Sequence, residues 1–584
     1  MRSRLSLAGM ARRGVVVFLS TVAVSQQSQP GASNVPPPTI RVTTHMVLVD
    51  AVVTDKQGKP IPGLHPEDFV VEENGKAQKI ASLTTAAESV PAAGAALPPG
   101  IYSNEPQYRS PGRPITVMLL DAVNTPFTDQ AYARRQMLAF VKDQFKPADR
   151  MAVFTLTGPL NMLQDFTTDP QILYTALQRF KPQTQAFQGG GAPPVSNEGG
   201  PATTSSIITS LDASTPPPSD SGGNPGGLGT TGAASAAMIT SAQQALQSFE
   251  GAQIAYAKDQ FAIVTLNALN SLARILGGIP GRKNLIWVTG DLPFSFIPEN
   301  RVMTDAELAE DLPSLDTRRV GEHSAGNYAE TFRQAHAEEI REVSARLSSA
   351  QVAVYPVDAR GLSISTDTDS QETMREMARE TGGRAYVNQN EIKMGVERAF
   401  DDELAAYTIG YYPENKKYDG KYRSIKVKVK RDGVEIHSRQ GYYAIDPTQT
   451  KGYNPKQEAL AALGESLPST WVSFKAQVKP ASANSVPGKL GVTFLVDAKT
   501  LSAEDASGGK RLNVDFYVNI YSGGKIVATG GKKIDQVFDA NTYQQILQNG
   551  LATHLDIDPQ KGQLRLAVQD ARTGLVGTIT APAP

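Results

Sequence analysis

"ITVMLLDAVNTP", residues 115–126, is the stretch that decides the fold of the central part of the chain. It begins as a nearly continuous apolar run, which is typical of a strand covered on both faces of a sheet. Asp121 stands at the tip of this strand, and Asn124 and Thr125 follow three and four residues later. A carboxylate, an amide and a hydroxyl at the end of a buried strand are ligands that suit a hard cation. The stretch therefore predicts a buried strand and a candidate metal site.

Strands and helices alternate around this stretch. Helical spacing of apolar residues occurs at 129–145, 269–276, 338–350 and 370–383, and apolar runs typical of strands occur at 150–156, 284–290 and 351–357. This alternation predicts a doubly wound, Rossmann-like α/β domain over residues 114–404, with helices on both faces of a parallel sheet. Residues 186–245 are dense in Gly, Pro, Ser and Thr, and this composition predicts a disordered insert.

Two β-rich segments flank the α/β domain. Residues 40–84 alternate apolar and polar side chains and contain Asn74-Gly75, a strong hairpin signal. Residues 405–446 alternate in the same way. Each segment is too short to bury a sandwich core alone. We therefore predict that they pair into one β-sandwich in which the α/β domain is an insertion. The apolar faces that this pairing would bury are Val47, Val49 and Val53 in the first segment and Ile425, Val427 and Val429 in the second.

The rest of the chain is predicted to be linkers and a second β domain. Residues 469–584 contain seven short strand-like segments separated by turn residues, which predicts an Ig-like β-sandwich at the C-terminus. Linkers are predicted at 26–39, 85–113 and 447–468. The predicted fold class is thus multidomain, α/β plus β.

The first 25 residues have the pattern of a signal peptide. A basic segment with Arg2, Arg4, Arg12 and Arg13 precedes a short apolar run at 14–25, and small residues allow cleavage before Gln26. The pattern predicts a secreted or periplasmic protein, and the alternative is an uncleaved anchor. After cleavage, no later stretch of the sequence is apolar and long enough for an integral membrane segment.

Composition excludes several function classes. Lys and Arg total 57 and Asp and Glu total 58, so the overall charge gives no attraction to nucleic acid. The sequence contains no Cys, which excludes disulfides, thiolate metal sites and a cysteine nucleophile. There is no H-E-x-x-H pair, G-x-S-x-G elbow, phosphate-binding P-loop or GxGxxG after a strand.

Three motifs in the α/β region carry a family resemblance. They are "ADRMAVFTLTGPLNMLQDFTTDPQILYTALQRF" at 148–180, "GRKNLIWVTGD" at 281–291 and "MREMARETGGRAYVNQNEIKMGVERAF" at 374–400. Their order and spacing resemble a von Willebrand factor type A domain. Together with flanking motifs such as "VVTDKQGKPIPGLHPEDFVVEENGKAQKI", "VYPVDARGL" and "IGYYPENKKYDGKYRSIKVKVKRDGVEIHSRQGYYA", they are similar to exported VWFA-related proteins, seen mainly in Acidobacteria. The resemblance implies a family without an established activity.

Type A domains often hold Mg²⁺ or a similar ion with a D-x-S-x-S motif and with a Thr and an Asp from later loops. Asp121 matches the first Asp of that motif, Val123 stands at the first Ser position and Thr125 at the second. The later Asp position is Gly290, and Asp291 follows it. The resemblance therefore implies a degenerate metal site in which one ligand is missing and one is displaced.

The remaining ligands of this degenerate site are open. Thr265 is a candidate for the Thr of the later loop, and Asn124 could supply an amide oxygen. Mg²⁺ or a similar divalent cation is the one candidate cofactor. In the alternative without metal, Asp121 accepts backbone N–H bonds and Thr125 caps the following helix.

Asp358 and Arg360 end the strand at 351–357 and are expected at the same edge of the sheet. Open parallel sheets bind ligands outside the carboxyl ends of their strands, so the two residues are predicted to form a ligand face. The alternative is a local salt bridge that fixes the loop.

The predicted function is that of an exported, non-enzymatic interaction protein of the adhesion type. Its type A domain would bind an unknown protein or cell-surface ligand through the degenerate site. Two alternatives remain. One is an enzyme, or a subunit of one, that uses carboxylates near Asp121 and Asp358, and the other is a purely structural scaffold of the cell envelope.

Overall fold

The computed structural model describes residues 46–85, 88, 94–109, 115–146, 150–183, 257, 259–292, 294, 336–361, 368–388, 392–445, 454–464, 468–483 and 486–584. The predicted signal peptide at 1–25, the linker at 26–39 and the insert at 186–245 lie outside these residues.

Strands dominate the first and the last of the described residues and alternate with helices between them. The first strands are β1 Val47–Asp55, β2 Phe69–Glu73, β3 Lys76–Gln78, β4 Ile80–Thr85 and β5 Ile101–Ser103. The middle strands are β6 Ile115–Asp121, β7 Met151–Leu156, β8 Leu160–Thr167, β9 Lys283–Thr289, β10 Val352–Asp358, β11 Ala406–Tyr411, β12 Tyr422–Val429, β13 Val434–Ser438 and β14 Gly441–Tyr443. The last strands are β15 Phe474–Lys479, β16 Leu490–Val496, β17 Glu504–Ala506, β18 Gly509–Ser522, β19 Lys525–Phe538, β20 Leu551–Ile557, β21 Gln563–Asp570 and β22 Val576–Pro582.

Helices connect the middle strands and occur singly elsewhere. They are α1 Pro106–Arg109, α2 Phe127–Asp143, α3 Pro170–Arg179, α4 at 259–276, α5 Ala337–Ser349, α6 Thr368–Thr381, α7 Ile392–Leu404, α8 Pro455–Gly464 and α9 Ala540–Asn549. Short 3₁₀ helices lie at Pro66–Asp68 and Ala498–Thr500. None of the helices in the described ranges combines the length and the hydropathy that crossing a bilayer requires.

The middle of the chain forms one five-stranded sheet, the central sheet, with the order β10-β9-β6-β7-β8. The pairs from β10 to β7 are parallel, and β8 is an antiparallel edge strand. Every residue of β6, β7, β9 and β10 is buried, because helices cover both faces. Helices α4, α5 and α6 pack on one face, and α2, α3 and α7 pack on the other. The prediction of a mixed α/β fold is confirmed in this form.

Two further sheets combine strands from either side of the central sheet in the sequence. Their orders are β13-β1-β11-β4 and β14-β12-β2-β3. β1 pairs antiparallel with β11 and β13, and β2 pairs antiparallel with β12. The two sheets share one core, to which both predicted apolar faces contribute, with Val429 at its margin. We call these strands the N-terminal sandwich. The domain boundaries themselves stay a prediction.

The C-terminal strands form a second sandwich, with sheet orders β20-β16-β15-β5 and β17-β18-β21-β22, and with β19 also paired to β18. Its core contains three aromatic rings in contact, from Phe474, Phe494 and Phe516. We call it the C-terminal sandwich. Strands occur at all seven predicted positions, and α9 and β17 are additions that the sequence prediction did not include.

Part of the predicted linker at 85–113 is a strand, which corrects that prediction. β5 pairs antiparallel with β15, so that Ile101 lies opposite Gln477. Asn104, the residue that follows β5, is fully buried and donates through Nδ2 to the carbonyl oxygens of Ser469 and Val472 at 3.2 and 2.9 Å. The segment is ordered because it completes a sheet whose other strands come much later in the chain.

The predicted linker at 447–468 also contains secondary structure. Helix α8 lies within it and buries Ala462 and Leu463 against Ala567 and Val576. Just beyond it, Thr470 binds the C-terminal end of α4, where its N–H and Oγ1 donate to the carbonyl oxygens of residues 274 and 275 at 3.1 and 2.8 Å. The C-terminal sandwich is therefore docked on the α/β part through these contacts.

Candidate functional site at the carboxyl edge of the central sheet

The three strands β6, β9 and β10, which lead to the predicted site residues, end side by side. Asp358 at the end of β10 lies opposite Thr289 at the end of β9, and Leu120 of β6 lies opposite Val288 of β9. Asp121 therefore ends β6 next to Thr289, and the three residues form a row across neighbouring strands. We call the place where these strands end the carboxyl edge.

The Asp121 carboxylate is surrounded by hydrogen-bond donors. Its Oδ1 accepts from the backbone N–H groups of Val123 at 3.0 Å and Asn124 at 2.9 Å. Its Oδ2 accepts from Asn124 Nδ2 at 2.7 Å, Trp287 Nε1 at 3.0 Å and Thr289 Oγ1 at 3.1 Å. A carboxylate offers about four lone-pair sites, and the four N–H donors fill them. The Thr289 hydroxyl has one proton, which it shares between Asp121 Oδ2 and the nearer Asp291 O at 2.6 Å.

Burial and hydrogen bonding act on Asp121 in opposite directions. The residue is 2% exposed. Desolvation raises the pKa of its carboxyl group above the ordinary value, and the hydrogen bonds from Asn124, Trp287 and Thr289 pull the pKa down but do not cancel that rise. The donors thus make the carboxylate tolerable in a place from which water is excluded.

Val123 and Gly290 stand at the positions where the resemblance to type A domains implies metal ligands, and both are closely surrounded by other residues. The Val123 side chain is buried in the core on the α4 face of the sheet, so it does not turn toward Asp121 as a ligand would. At Gly290, a Cβ atom would lie 3.1 Å from Asn124 O and 3.1 Å from Pro126 Cδ. A larger side chain there would have to displace the loop after β6.

Thr125 ties this loop to the end of β9. Its Oγ1 accepts a hydrogen bond from the N–H of Gly290 at 2.9 Å. The alternative in which Thr125 caps the following helix is wrong, because α2 has Pro126 at its N-cap position and no side-chain cap. Asp291 lies beside the same loop, where its backbone N–H and carbonyl oxygen are 3.3 and 2.6 Å from Thr289 Oγ1.

Thr265 is brought to the site by α4. Its Oγ1 accepts from Asn124 Nδ2 at 2.9 Å and donates to Phe261 O at 2.7 Å. Because Asn124 Nδ2 also donates to Asp121, Thr265 helps to orient the amide whose nitrogen faces the carboxylate. In this orientation the Asn124 amide presents a donor to Asp121, where a metal ligand would present its oxygen.

Asp358 and Arg360 form a closed ion pair. Asp358 Oδ1 accepts from Arg360 Nε at 2.9 Å and from the Arg360 N–H at 2.9 Å, and Oδ2 accepts from the guanidinium at 3.0 Å. In the first turn of α2, burial raises the pKa of the Asp129 carboxyl group, a hydrogen bond from Thr128 and the charge of Arg360 lower it, and the charge of Asp358 raises it further. The local salt bridge named as the alternative is therefore present.

Trp287 and Thr289 are site residues that the sequence analysis did not identify. Both supply donors to Asp121 from the neighbouring strand. A tryptophan in the middle of a buried strand is itself a signal, because a buried indole N–H usually finds a hydrogen-bond partner. Within the described ranges, no three His, Asp or Glu side chains are grouped so that they could hold a metal ion.

No protein-family model and no curated protein matches this chain. Among solved structures, an aerotolerance-related membrane protein from Bacteroides fragilis is 11% identical and covers 50% of this chain and 98% of its own, with a TM-score of 0.20. A von Willebrand factor type A protein from Catenulispora acidiphila is 9% identical and covers 71% of this chain and 83% of its own, with a TM-score of 0.20. A pilus adhesin from Lactobacillus rhamnosus GG is 9% identical and covers 88% of this chain and 71% of its own, with a TM-score of 0.23. At TM-scores this low, the likeness carries no argument about function.

Proposed function

We propose that this protein is an exported, non-enzymatic interaction protein whose α/β domain binds a protein or cell-surface partner at the carboxyl edge without a divalent cation. The observation that carries this proposal is the Asp121 carboxylate, whose two oxygens accept four hydrogen bonds from N–H groups of the protein, with the Thr289 hydroxyl as a further, shared donor.

The hydrogen bonding disfavours a cation at Asp121. Mg²⁺ requires oxygen ligands in a near-octahedral arrangement, and Asp121 could serve as one only if donors such as Trp287 Nε1 and Thr289 Oγ1 moved away. Each buried donor left unpaired costs about 1–3 kcal/mol. Val123 supplies no oxygen, and Gly290 has no side chain. The residues present thus do not fit the ion that the family resemblance implies.

The same contacts support a rigid binding surface. The loop after β6 is joined to β9 through Thr125 and to α4 through Asn124 and Thr265, and the loop after β10 is closed by the Asp358–Arg360 pair. A surface that is ordered before binding loses little conformational entropy when a partner docks. Phe127, at the start of α2 beside this loop, is 52% exposed and is, among the described residues, an apolar side chain placed to contact a partner.

The enzyme alternative receives less support from this geometry. A general acid or base must come within hydrogen-bond reach of a substrate. Asp121 is buried and saturated with donors, and Asp358 is buried and paired with Arg360. In the scaffold alternative the type A domain is purely structural, so that alternative predicts no partner at the carboxyl edge.

The test is capture of partners from the native envelope fraction on the immobilised protein, with and without EDTA. Phe127→Ala should lose the captured partner. Ile172→Ala is the matched control, because Ile172 is exposed on α3. This helix follows β8, the outermost strand of the sheet, and not the strands that form the carboxyl edge. We expect capture that resists EDTA and that only the first variant abolishes. Release by EDTA would contradict metal independence, and equal capture by both variants would contradict binding at the carboxyl edge.

A further inference from the structure

The hairpin of β18 and β19 leaves one long strand at the edge of a sheet. β19 pairs with β18 along almost its whole length, from Lys525 opposite Ser522 to Phe538 opposite Lys510. In the part of the chain that the structure describes, no strand pairs with the other edge of β19. β20 approaches one face of β19, where Lys532 Nζ donates to His554 O at 3.2 Å, but it does not extend the sheet.

Exposed edges of this length normally carry protection against pairing with another chain, such as a proline, a covering helix or a short strand. β19 has 14 residues and contains no proline. A bulge at Val527, where the register shifts, lies close to the hairpin turn and leaves 528–538 as regular strand. Of the usual protections, this edge carries charged side chains (Lys532, Lys533 and Asp535) and the bulge near the turn. It is therefore open to addition of a strand whose charges complement these.

The sequence of β19 is complementary to itself in one antiparallel register. This register is two-fold symmetric about Ile534, so that Ile534 lies opposite Ile534 of a second copy. It places Lys533 opposite Asp535, Lys532 opposite Gln536, Gly531 opposite Val537 and Gly530 opposite Phe538, each pair occurring twice. Opposite charges and apolar residues directly across a strand pair are favourable.

Neighbouring registers are worse for electrostatic reasons. A two-fold axis at residue 532 or 533 would place a lysine opposite its own copy, and an axis at 535 would do the same with an aspartate. Like charges directly opposite each other destabilise a strand pair. Asp535 already accepts two hydrogen bonds from Arg511 at 2.7 and 3.0 Å, which hold its carboxylate on the same face as Lys533.

We propose that β19 is a dimerisation edge, at which a second copy of this chain adds its own β19 antiparallel about Ile534 and continues the sheet across the two molecules. The occupant is a second copy because the register that pairs Lys533 with Asp535 satisfies both strands at once.

The first test uses the absence of cysteine from the chain. A single Ile534→Cys variant places one thiol opposite its copy, because directly opposite Cβ atoms in an antiparallel pair are ~4.5–5.5 Å apart. A short thiol-reactive crosslinker should then give a covalent dimer of the full chain. Val527→Cys, outside the paired stretch, is the matched control and should stay monomeric under the same treatment. Equal crosslinking of both variants, or of neither, would overturn the register.

The second test measures the monomer–dimer equilibrium by analytical ultracentrifugation. Val537→Lys adds a charge inside the paired stretch, and Val527→Lys adds one outside it on the same strand. We expect the first to raise the dissociation constant about tenfold or more, and the second to leave it unchanged. Circular dichroism melts of both variants confirm that each is folded. A wild-type chain that is monomeric at every concentration, or a dimer that Val537→Lys leaves intact, would refute the proposal.

Discussion

The indole of Trp287 donates a hydrogen bond to the carboxylate of Asp121 across two neighbouring strands, with 3.0 Å between Nε1 and Oδ2. Both side chains are buried. The bond joins the tip of β6 to the interior of β9 at a place where the family resemblance implies a cation. A neutral donor thus occupies part of the space in which a cation would otherwise offset the charge of the carboxylate.

Trp287→Phe is expected to lower the free energy of unfolding by ~1–3 kcal/mol, because it removes a hydrogen bond to a buried carboxylate while keeping most of the apolar volume. Chemical denaturation followed by circular dichroism measures the change. The control is Trp471→Phe, because Trp471 packs only at the margin of the same core. If the two substitutions have equal effects, the Asp121 hydrogen bond contributes nothing specific.

Mg²⁺ is expected to leave the melting temperature of the wild-type protein unchanged, because a ligand that binds the native state would raise it. Val123→Ser supplies the missing hydroxyl of the family motif. The melting temperature of this variant should still not respond to Mg²⁺, since hydrogen-bond donors still occupy the Asp121 carboxylate. Its free energy of unfolding should fall by ~1–3 kcal/mol, because a buried apolar site receives a polar hydroxyl group. Differential scanning calorimetry with and without Mg²⁺ reports both effects. A rise in melting temperature for Val123→Ser alone would show that only one ligand was lacking.

Lys283 is expected to make the stability of the protein depend on pH in the alkaline range. The side chain is 1% exposed, and burial lowers the pKa of its ammonium group from 10.5 to about 7, with Asp50 acting in the other direction. Between these values the unfolded chain binds more protons than the folded one. The free energy of unfolding should therefore rise with pH across this window, by up to ~1.4 kcal/mol per pH unit. Below the window Lys283 is charged in both states, and the folded protein bears the full cost of burying that charge.

The measurement compares wild type with Lys283→Met by denaturant unfolding at a series of pH values. The variant lacks the titrating group, so the wild type should gain stability relative to it as pH rises from about 7 toward 10.5. The control is Lys142→Met, on the exposed side of α2, and its free energy of unfolding should depend on pH in the same way as that of the wild type. A constant difference between wild type and Lys283→Met would mean that Lys283 stays charged in the folded protein.

Arg423→Met is expected to destabilise the N-terminal sandwich by about 3–5 kcal/mol, because it leaves the buried Glu73 carboxylate without its cation. Arg423 lies 3.6 Å from Glu73, which also accepts hydrogen bonds from Tyr411 and Tyr442. Thermal unfolding measures the loss. Lys428→Met on the same strand pair is the control, since its partner Glu72 is more exposed and such pairs contribute ~0–1 kcal/mol. Similar losses in both variants would contradict the central role of the buried pair.

Much of the fold follows from local sequence patterns. The strand β6 was predictable because "ITVMLL" can only be buried on both sides, and Val71 and Val427 lie opposite each other because both belong to alternating apolar faces. Helix α9 was also predictable. Asp539 caps it by accepting from the N–H groups of Asn541 and Thr542, and Gly550 ends it with a φ of +86°. These are ordinary start and stop signals.

Other features depend on contacts that no local pattern reveals. β5 has only three residues, and its pairing with β15 is determined by a strand far along the chain. In the site, the sequence placed Asp121, Asn124 and Thr125 together because they are neighbours in the chain. It could not show that Trp287 reaches Asp121, because that contact depends on the register between β6 and β9 and on the rotamer of the indole.

The pairing of β5 with β15 has a consequence for how the chain is made. Ser103 donates through Oγ to Phe474 O, a residue 371 positions later, and β1 likewise pairs with β11. β1 and β5 therefore have no strand partners while the ribosome is still producing the middle of the chain. Contacts of such long sequence separation slow folding, and unpaired strands are prone to aggregation. We expect the nascent chain to require a chaperone until its last third has emerged.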